Sequence, residues 1–216
     1  MFRKMVTAFS ILTLIGGLTM AANTIDLPKP KIQSKVSLEE TIRQRRSERE
    51  FTDRELSMEQ LSQILWAAQG ITDNEFGFRA APSAGALYPL HIYIVKKNGI
   101  FRYVPDGHKL IQLSEEDKRQ SLHRASLGQK SIQHAPVDLI ITANFAITQA
   151  KYGARAFRYV CMEVGHTAEN IHLQAEALGL ASLPIGAFWD DVVKKALDIP
   201  ENEDPLYIIP IGYPKK

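Results

Sequence analysis

The sequence predicts an α+β fold around a largely antiparallel central sheet flanked by helices. Three observations carry that expectation. Helical and strand-like stretches are mixed without the strict alternation of a doubly wound fold. Residues 91–113 (HIYIVKKNGIFRYVPDGHKLIQL) read as a β-meander, with Asn98-Gly99 and Pro105-Asp106-Gly107 as its turns. A long helical stretch, residues 152–180, lies between two apolar strand-like runs, residues 137–144 and 206–214.

Each element follows in chain order. Residues 1–22 have the layout of a secretory signal peptide: Arg3 and Lys4, an apolar stretch, then small residues around Ala21 and Ala22. The competing reading is an uncleaved anchor, because residues 5–25 carry no charge and are nearly long enough to span a bilayer. Export with cleavage is the expectation, to the periplasm or another extracytoplasmic space, with no stable membrane association afterwards. Residues 23–36 carry two prolines and no periodicity, which reads as a linker or arm. Residues 37–216 form the folded domain.

Ser37 with Glu40, and Ser57 with Gln60, have the spacing of helix N-caps. They open helices to about Arg46 and to a stop at Gly70. The meander follows. Residues 114–126 read as a helix. VDLIITAN (137–144) is a strand buried on both faces. The helix of residues 152–180 is rich in small residues nearly all round and so is expected to be buried on most sides, one of them against a partner subunit or within a monomer core. Residues 190–197 are a short helix and 206–214 the last strand.

Composition limits the function. The 216 residues are 45% apolar and 23% charged, ordinary for a globular domain. The formal charge is +2, and the terminal Arg3 and Lys4 account for it. A nucleic-acid binder is not indicated. Cys161 is the single cysteine, which excludes an intrachain disulfide and a thiolate cluster within one chain; it is expected to be a buried structural thiol. His166 and His172 are six apart on different helical faces, with no further ligand cluster. No metal site is expected, and hydrogen-bonded helix histidines are the better reading. Glu163 and Asn170 read as polar anchors of the core or an interface.

Four segments carry chemistry. Arg45, Arg46, Ser47 and Arg49 cluster at a helix end. Such a run is commonly a solvated face with Glu48 and Glu50 as partners; its functional reading is a phosphate and flavin-edge site, because guanidinium forks match phosphate oxygens. Pro82, Ser83, Ala84, Gly85 and Leu87 precede a strand and offer little side chain, which suits either a tight turn or a planar cofactor. Pro184, Ile185 and Gly186 form a loop able to aim a backbone N–H at a ring nitrogen. The C-terminal Lys215 and Lys216 suit a phosphate or a solvated end.

In order, RRSxRxF, PSAGALYP, YGxRAxRYxxxExGHxxxN, LGLxSLPIGAF and PIGYP resemble the nitroreductase-like family of FMN-dependent oxidoreductases, over nearly all of residues 36–214. The PSAGALYP segment with the long helix is most similar to the branch containing the azoline (thiazole/oxazole) dehydrogenases. The resemblance implies a nitroreductase-like fold and a homodimer with the long helix at its interface and two flavins there. It assigns Arg45, Arg46, Ser47 and Arg49 to FMN phosphate, ribityl chain and pyrimidine edge. It assigns Pro82, Ser83, Ala84, Gly85 and Leu87 to the same flavin from the other subunit. It puts Pro184, Ile185 and Gly186 over the ring system, and leaves Lys215 as the available basic residue at the C-terminus. In that branch a Lys-Tyr pair assists proton removal; here it is Lys151 and Tyr152, against the plainer reading of a surface lysine and a packing tyrosine.

The implied reaction is hydride transfer from NAD(P)H, a transient donor, through FMN to a small acceptor such as a quinone or nitroaromatic. No G-x-G-x-x-G follows a strand to hold a dinucleotide tightly. The alternatives are an azoline-type peptide heterocycle dehydrogenase and a non-catalytic flavin-binding module.

Overall fold

The computed structural model describes residues 23–215, so the signal-peptide expectation falls outside the described residues. The strands are β1 (Thr24–Asp26), β2 (Ile71–Asp73), β3 (Phe78–Arg79), β4 (Leu90–Lys96), β5 (Gly99–Val104), β6 (Lys109–Ser114), β7 (Val137–Ala143), β8 (Ala181–Ser182) and β9 (Asp204–Gly212). The helices are α1 (Leu38–Gln44), α2 (Met58–Gln69), α3 (Arg119–Ala125), α4 (Lys130–His134), α5 (Phe145–Tyr152), α6 (Ala156–Ala177) and α7 (Asp190–Leu197). Seven strands form one sheet in the order β1-β6-β5-β4-β7-β9-β8, and β2 and β3 form a separate hairpin. Every pairing is antiparallel.

The expected meander is present as β4–β5–β6. Strand β7 is buried throughout its length and pairs with both β4 and β9. Its side chains alternate between two cores, as a period of two requires. Leu139 and Ile141 join Leu61, Ile64 and Leu65 of α2 and Val160, Val164 and Ile171 of α6. Ile140 joins Leu122 of α3 and Val193 and Leu197 of α7 on the opposite face. Helices therefore cover the sheet on both sides.

Both N-caps form. Ser57 and Gln60 make a complete capping box, whereas at α1 only the Ser37 side chain bonds, because Glu40 accepts from Gln44 instead. Gly70 stops α2 without a left-handed cap: its backbone is extended, and a Cβ there would lie 2.3 Å from Trp66 Cδ1.

The structure corrects several expectations. The residues 23–36 arm is docked: β1 pairs with β6, Leu27 is buried, and Lys31 N–H donates to Gln63. The helix expected over residues 114–126 spans only Arg119–Ala125. Residue 114 ends β6, and Asp117 pairs with Arg119 in between. The helix expected over residues 152–180 spans Ala156–Ala177. Gly153, at φ +55 and ψ −133, breaks the chain between α5 and α6, so Tyr152 ends α5. Periodicity alone did not show that break, because the residues around it are small. Cys161 is exposed, not buried. It shares an outward strip of α6 with Phe157, Met162, Gly165 and His166, so that helix is buried on one side only within the chain. No described helix is long and apolar enough to cross a membrane.

Candidate active site

The C-terminal end of α1 places the arginine segment. Arg45 is the C-cap, after which residues 47–51 run extended beside the sheet edge. Ser47 bridges Ser182 of β8, and Glu48 N–H donates to the Ser182 carbonyl at 3.2 Å. Further on, Phe51 bridges Pro214, and Lys215 N–H donates to the Glu50 carbonyl at 3.0 Å. The arginine segment is thus zipped between the strand that opens the 183–186 loop and the C-terminal residues.

A cavity of about 460 Å³ opens here, lined by Arg49, Glu50, Phe51, Gln129, Lys130, His134, Leu183 and Lys215 among others. Arg49 and Lys215, far apart in sequence, meet across it. Among the described residues no carboxylate lies within ion-pairing distance of Arg45, Arg46 or Arg49. Residues 46, 48, 49 and 50 are solvent-exposed, as a solvated face would be, but Glu48 and Glu50 form no ion pair with these arginines. Unpaired guanidinium groups beside a lysine suit an anionic group such as a phosphate. All three arginines also make uncharged contacts: Arg46 donates to the carbonyls of Arg43 and Arg45, satisfying the end of α1, Arg49 Nη1 donates to the Ser47 carbonyl at 3.2 Å, and Arg45 Nη1 lies 3.0 Å from His172 Nε2. Sequence reasoning missed Gln129, Lys130 and His134. Lys130 and His134 sit on α4, a five-residue helix without a periodic pattern, and Gln129 is its N-cap residue, with no side-chain cap bond.

The 183–186 loop is anchored through Ile185, which exchanges both backbone hydrogen bonds with Ile208. Pro184 is half-buried and Gly186 is exposed. A Cβ on Gly186 would meet only the Tyr207 ring, at an ordinary 3.6 Å. Nothing among the described residues requires glycine there, and its backbone is exposed.

The PSAG loop is built differently. Gly85, Ala86 and Tyr88 all have positive φ, of 64, 53 and 50°. For Ala and Tyr this is strain of roughly 1–3 kcal/mol each, held by the surroundings. Four contacts hold it. The Ser83 hydroxyl accepts from Tyr88 N–H at 2.9 Å and donates to Glu163 Oε2 at 2.5 Å. The Tyr88 hydroxyl accepts from Arg79 N–H, and the Arg79 guanidinium lies 4.4 Å over the Tyr88 ring. Arg79 also bonds Gln69, which bonds Thr167 of α6. Ala84 and Leu87 are half-buried and Pro82 is exposed. Burial pushes the Glu163 carboxyl up to about 7, against the Ser83 bond and the Arg79 charge. Its Oε1 has no hydrogen-bond partner among the described residues.

Lys151 and Tyr152 reach this loop. A Cβ on Gly85 would lie 2.6 Å from the Tyr152 hydroxyl and 2.8 Å from Lys151 Nζ. Glycine is favoured here by a positive φ and by two polar side-chain tips at once. The Tyr152 ring stands edge-on to Tyr159, and Lys151 Nζ lies 5.5 Å from the Tyr152 ring centroid. The pair expected to move a proton therefore borders the loop expected to contact the flavin.

Within one chain the two halves lie apart. Glu163 contacts the PSAG loop and His172 contacts Arg45, nine residues along α6, roughly 13 Å. His172 and Asn170 are buried or half-buried and hydrogen-bonded; His166 is exposed. Among the described residues no group of three potential ligands is placed to hold a metal. A second cavity, of about 370 Å³ between the arm, α1 and α6, has no charged lining residue and gathers none of these motifs.

The fold and this arrangement define an oxidoreductase of nitroreductase type, and comparison with known proteins agrees. The Nitroreductase family model matches residues 42–213, so the chain belongs to the Nitroreductase family. The nitroreductase-family protein MJ1384 of Methanocaldococcus jannaschii is 41% identical over 196 residues, 88% of this chain and 97% of that one. A crystal structure of a nitroreductase-family protein from Ralstonia eutropha superposes with a TM-score of 0.81 at 28% identity, over 89% of this chain and 90% of that one. The Escherichia coli Microcin B17-processing protein McbC is 25% identical over 165 residues, 70% of this chain and 60% of that one. Its likeness fits the azoline-type branch. A Bacillus subtilis protein named FMN reductase (NAD(P)H) is 26% identical over 185 residues, 78% of this chain and 62% of that one.

Proposed function

We propose that this oxidoreductase is an FMN enzyme that passes a hydride from NAD(P)H, or another donor, to a small organic acceptor such as a quinone or nitroaromatic. The observation that carries this is the convergence of Arg49 and Lys215 on one cavity beside the 183–186 loop, with no carboxylate ion-paired to Arg45 or Arg49 among the described residues. That donor set suits a terminal phosphate, and the open space at Gly186 suits a flat ring against the backbone. Arg45, Ser47, Arg49 and Lys215 would hold the phosphate end, and Pro184, Ile185 and Gly186 the ring. FMN, when bound, supplies the hydride-accepting and hydride-donating chemistry.

The chain's own residues bind, orient and handle protons. Lys151 and Tyr152 border the PSAG loop, where an acceptor's proton would be given or taken. The 13 Å between the two halves of the site along α6 favours a homodimer, in which the PSAG loop of one subunit meets the arginine segment of the other. The exposed strip of Phe157, Cys161, Met162 and Gly165 would be its interface. The basic, then apolar, then small-residue layout of residues 1–22 supports export with cleavage, leaving residues 23–36 as an arm on a domain of residues 37–216.

A second reading is favoured by one observation, the Lys151–Tyr152 pair against Gly85. It is oxidation of a peptide heterocycle, in which that pair removes the substrate proton. One experiment addresses both. The purified mature protein is expected to be yellow, and to bleach on anaerobic addition of NADH or NADPH. Retained colour with either donor points to another reductant or a carrier. A colourless protein that takes up no added FMN sinks the proposal.

A further inference from the structure

His172 joins the two segments assigned to the flavin. It lies buried on the inner face of α6. Its Nε2 is 3.0 Å from Arg45 Nη1, and its Nδ1 is 2.5 Å from the Ser182 hydroxyl. A guanidinium only donates, so Nε2 must accept and Nδ1 must carry the proton. The ring is therefore neutral, in one tautomer, and donates to Ser182. Burial and the adjacent Arg45 charge agree, pushing its pKa down to about 4. Ser182 is one residue before Leu183, and its backbone already holds Ser47 and Glu48. One imidazole thus fixes the guanidinium at the start of the arginine segment and the hydroxyl at the root of the ring-covering loop.

We infer that His172 is a positioning residue that aims Arg45 at the phosphate end of the ligand by occupying one edge of its guanidinium. The inference rests on the FMN reading above. Arg45 has no other side-chain hydrogen bond among the described residues, so its remaining N–H groups are free for phosphate oxygens. An aliphatic side chain at position 172 would leave the guanidinium unaimed. A protonated one would repel it.

The test compares FMN with riboflavin, which lacks the phosphate, by fluorescence quenching on the apoprotein. The unaltered protein is expected to bind FMN at least ~10-fold more tightly than riboflavin, since a charge-assisted phosphate contact is a strong one. His172→Asn keeps a donor near Ser182 and drops the Arg45 contact; it should lower that preference about 10-fold and leave riboflavin affinity unchanged. His172→Gln presents an acceptor near Arg45 and should keep most of the preference. Arg45→Met should lower the preference at least as much as His172→Asn does, and adding His172→Asn to it should change nothing further. Near-UV circular dichroism checks that each variant is folded. If His172→Asn fails to fold, His172→Ala in the presence and absence of Arg45→Met carries the same comparison. An unchanged FMN preference in a folded His172→Asn, or additive losses in the double variant, overturns the inference while leaving the FMN reading intact. No phosphate preference in the unaltered protein removes both.

Discussion

Gly85→Ala tests whether the PSAG loop and the Lys151–Tyr152 pair form one device. Gly85 has φ +64 and ψ 20, so an alanine there costs roughly 1–2 kcal/mol of backbone strain. In a domain of this size that lowers Tm by about 2–8 °C. The added methyl would also stand 2.6 Å from the Tyr152 hydroxyl and 2.8 Å from Lys151 Nζ. Both are side-chain tips, Lys151 exposed and Tyr152 half-buried, so they swing aside and add little to the thermal loss. Their displacement by about 1 Å is instead expected to cost on the order of 10²-fold in turnover. Gly77→Ala is the control. It has the same kind of backbone, at φ +69, with nothing within 4 Å of the new Cβ. Thermal unfolding and steady-state turnover of flavin-saturated protein separate the two effects. Matched Tm losses with turnover lost only in Gly85→Ala fit the geometry. Equal turnover in the two variants refutes the proposed role of the pair.

Other expectations follow from the same contacts. Gly186→Ala should leave Tm within about 1 °C, since the new Cβ meets only an ordinary contact, yet weaken flavin binding about 10-fold or more; calorimetry and flavin titration check this. Lys215→Ala should weaken FMN binding about 10-fold at low salt and less at high salt, read from titrations at two ionic strengths. Glu163 has a folded pKa raised to about 7 from 4.5, so its stabilising contribution is complete below pH 4.5 and is lost as pH rises to 7, about 3 kcal/mol in all. Asp138, fully buried with neither oxygen partnered, is raised well above its ordinary value and acts in the same direction. Urea unfolding at pH 5 and pH 8 should show Glu163→Gln and Asp138→Asn each flattening that slope; unchanged slopes would contradict the burial argument. His172 works oppositely, its contribution being present above pH 6.5 and lost as pH falls toward 4.

Parts of the site were legible because their signals are local. Ser57 and Gln60 announce their own capping box, and Asn98-Gly99 its hairpin. The small residues at 82–85 marked a loop where something comes close. What comes close within the chain is Lys151 and Tyr152, and that was not legible, since it depends on Gly153 breaking the helix so that α5 ends at the loop. The exposure of Cys161 was hidden likewise, because α6 is apolar and small on the face that the chain itself leaves open. Lys130 and His134 gave no signal in a five-residue helix.

By itself the sequence determined the antiparallel meander, the buried central strand, the two capped helices and the motif order that marks the family. These depend on short-range backbone preferences and on hydrophobic period, which a linear reading contains. Tertiary structure decided which charges stay unpaired, which histidine is held between Arg45 and Ser182, and which glycine the chain itself needs. Those outcomes are set by approach between residues more than a hundred positions apart in several cases, and no local pattern encodes the distance between them.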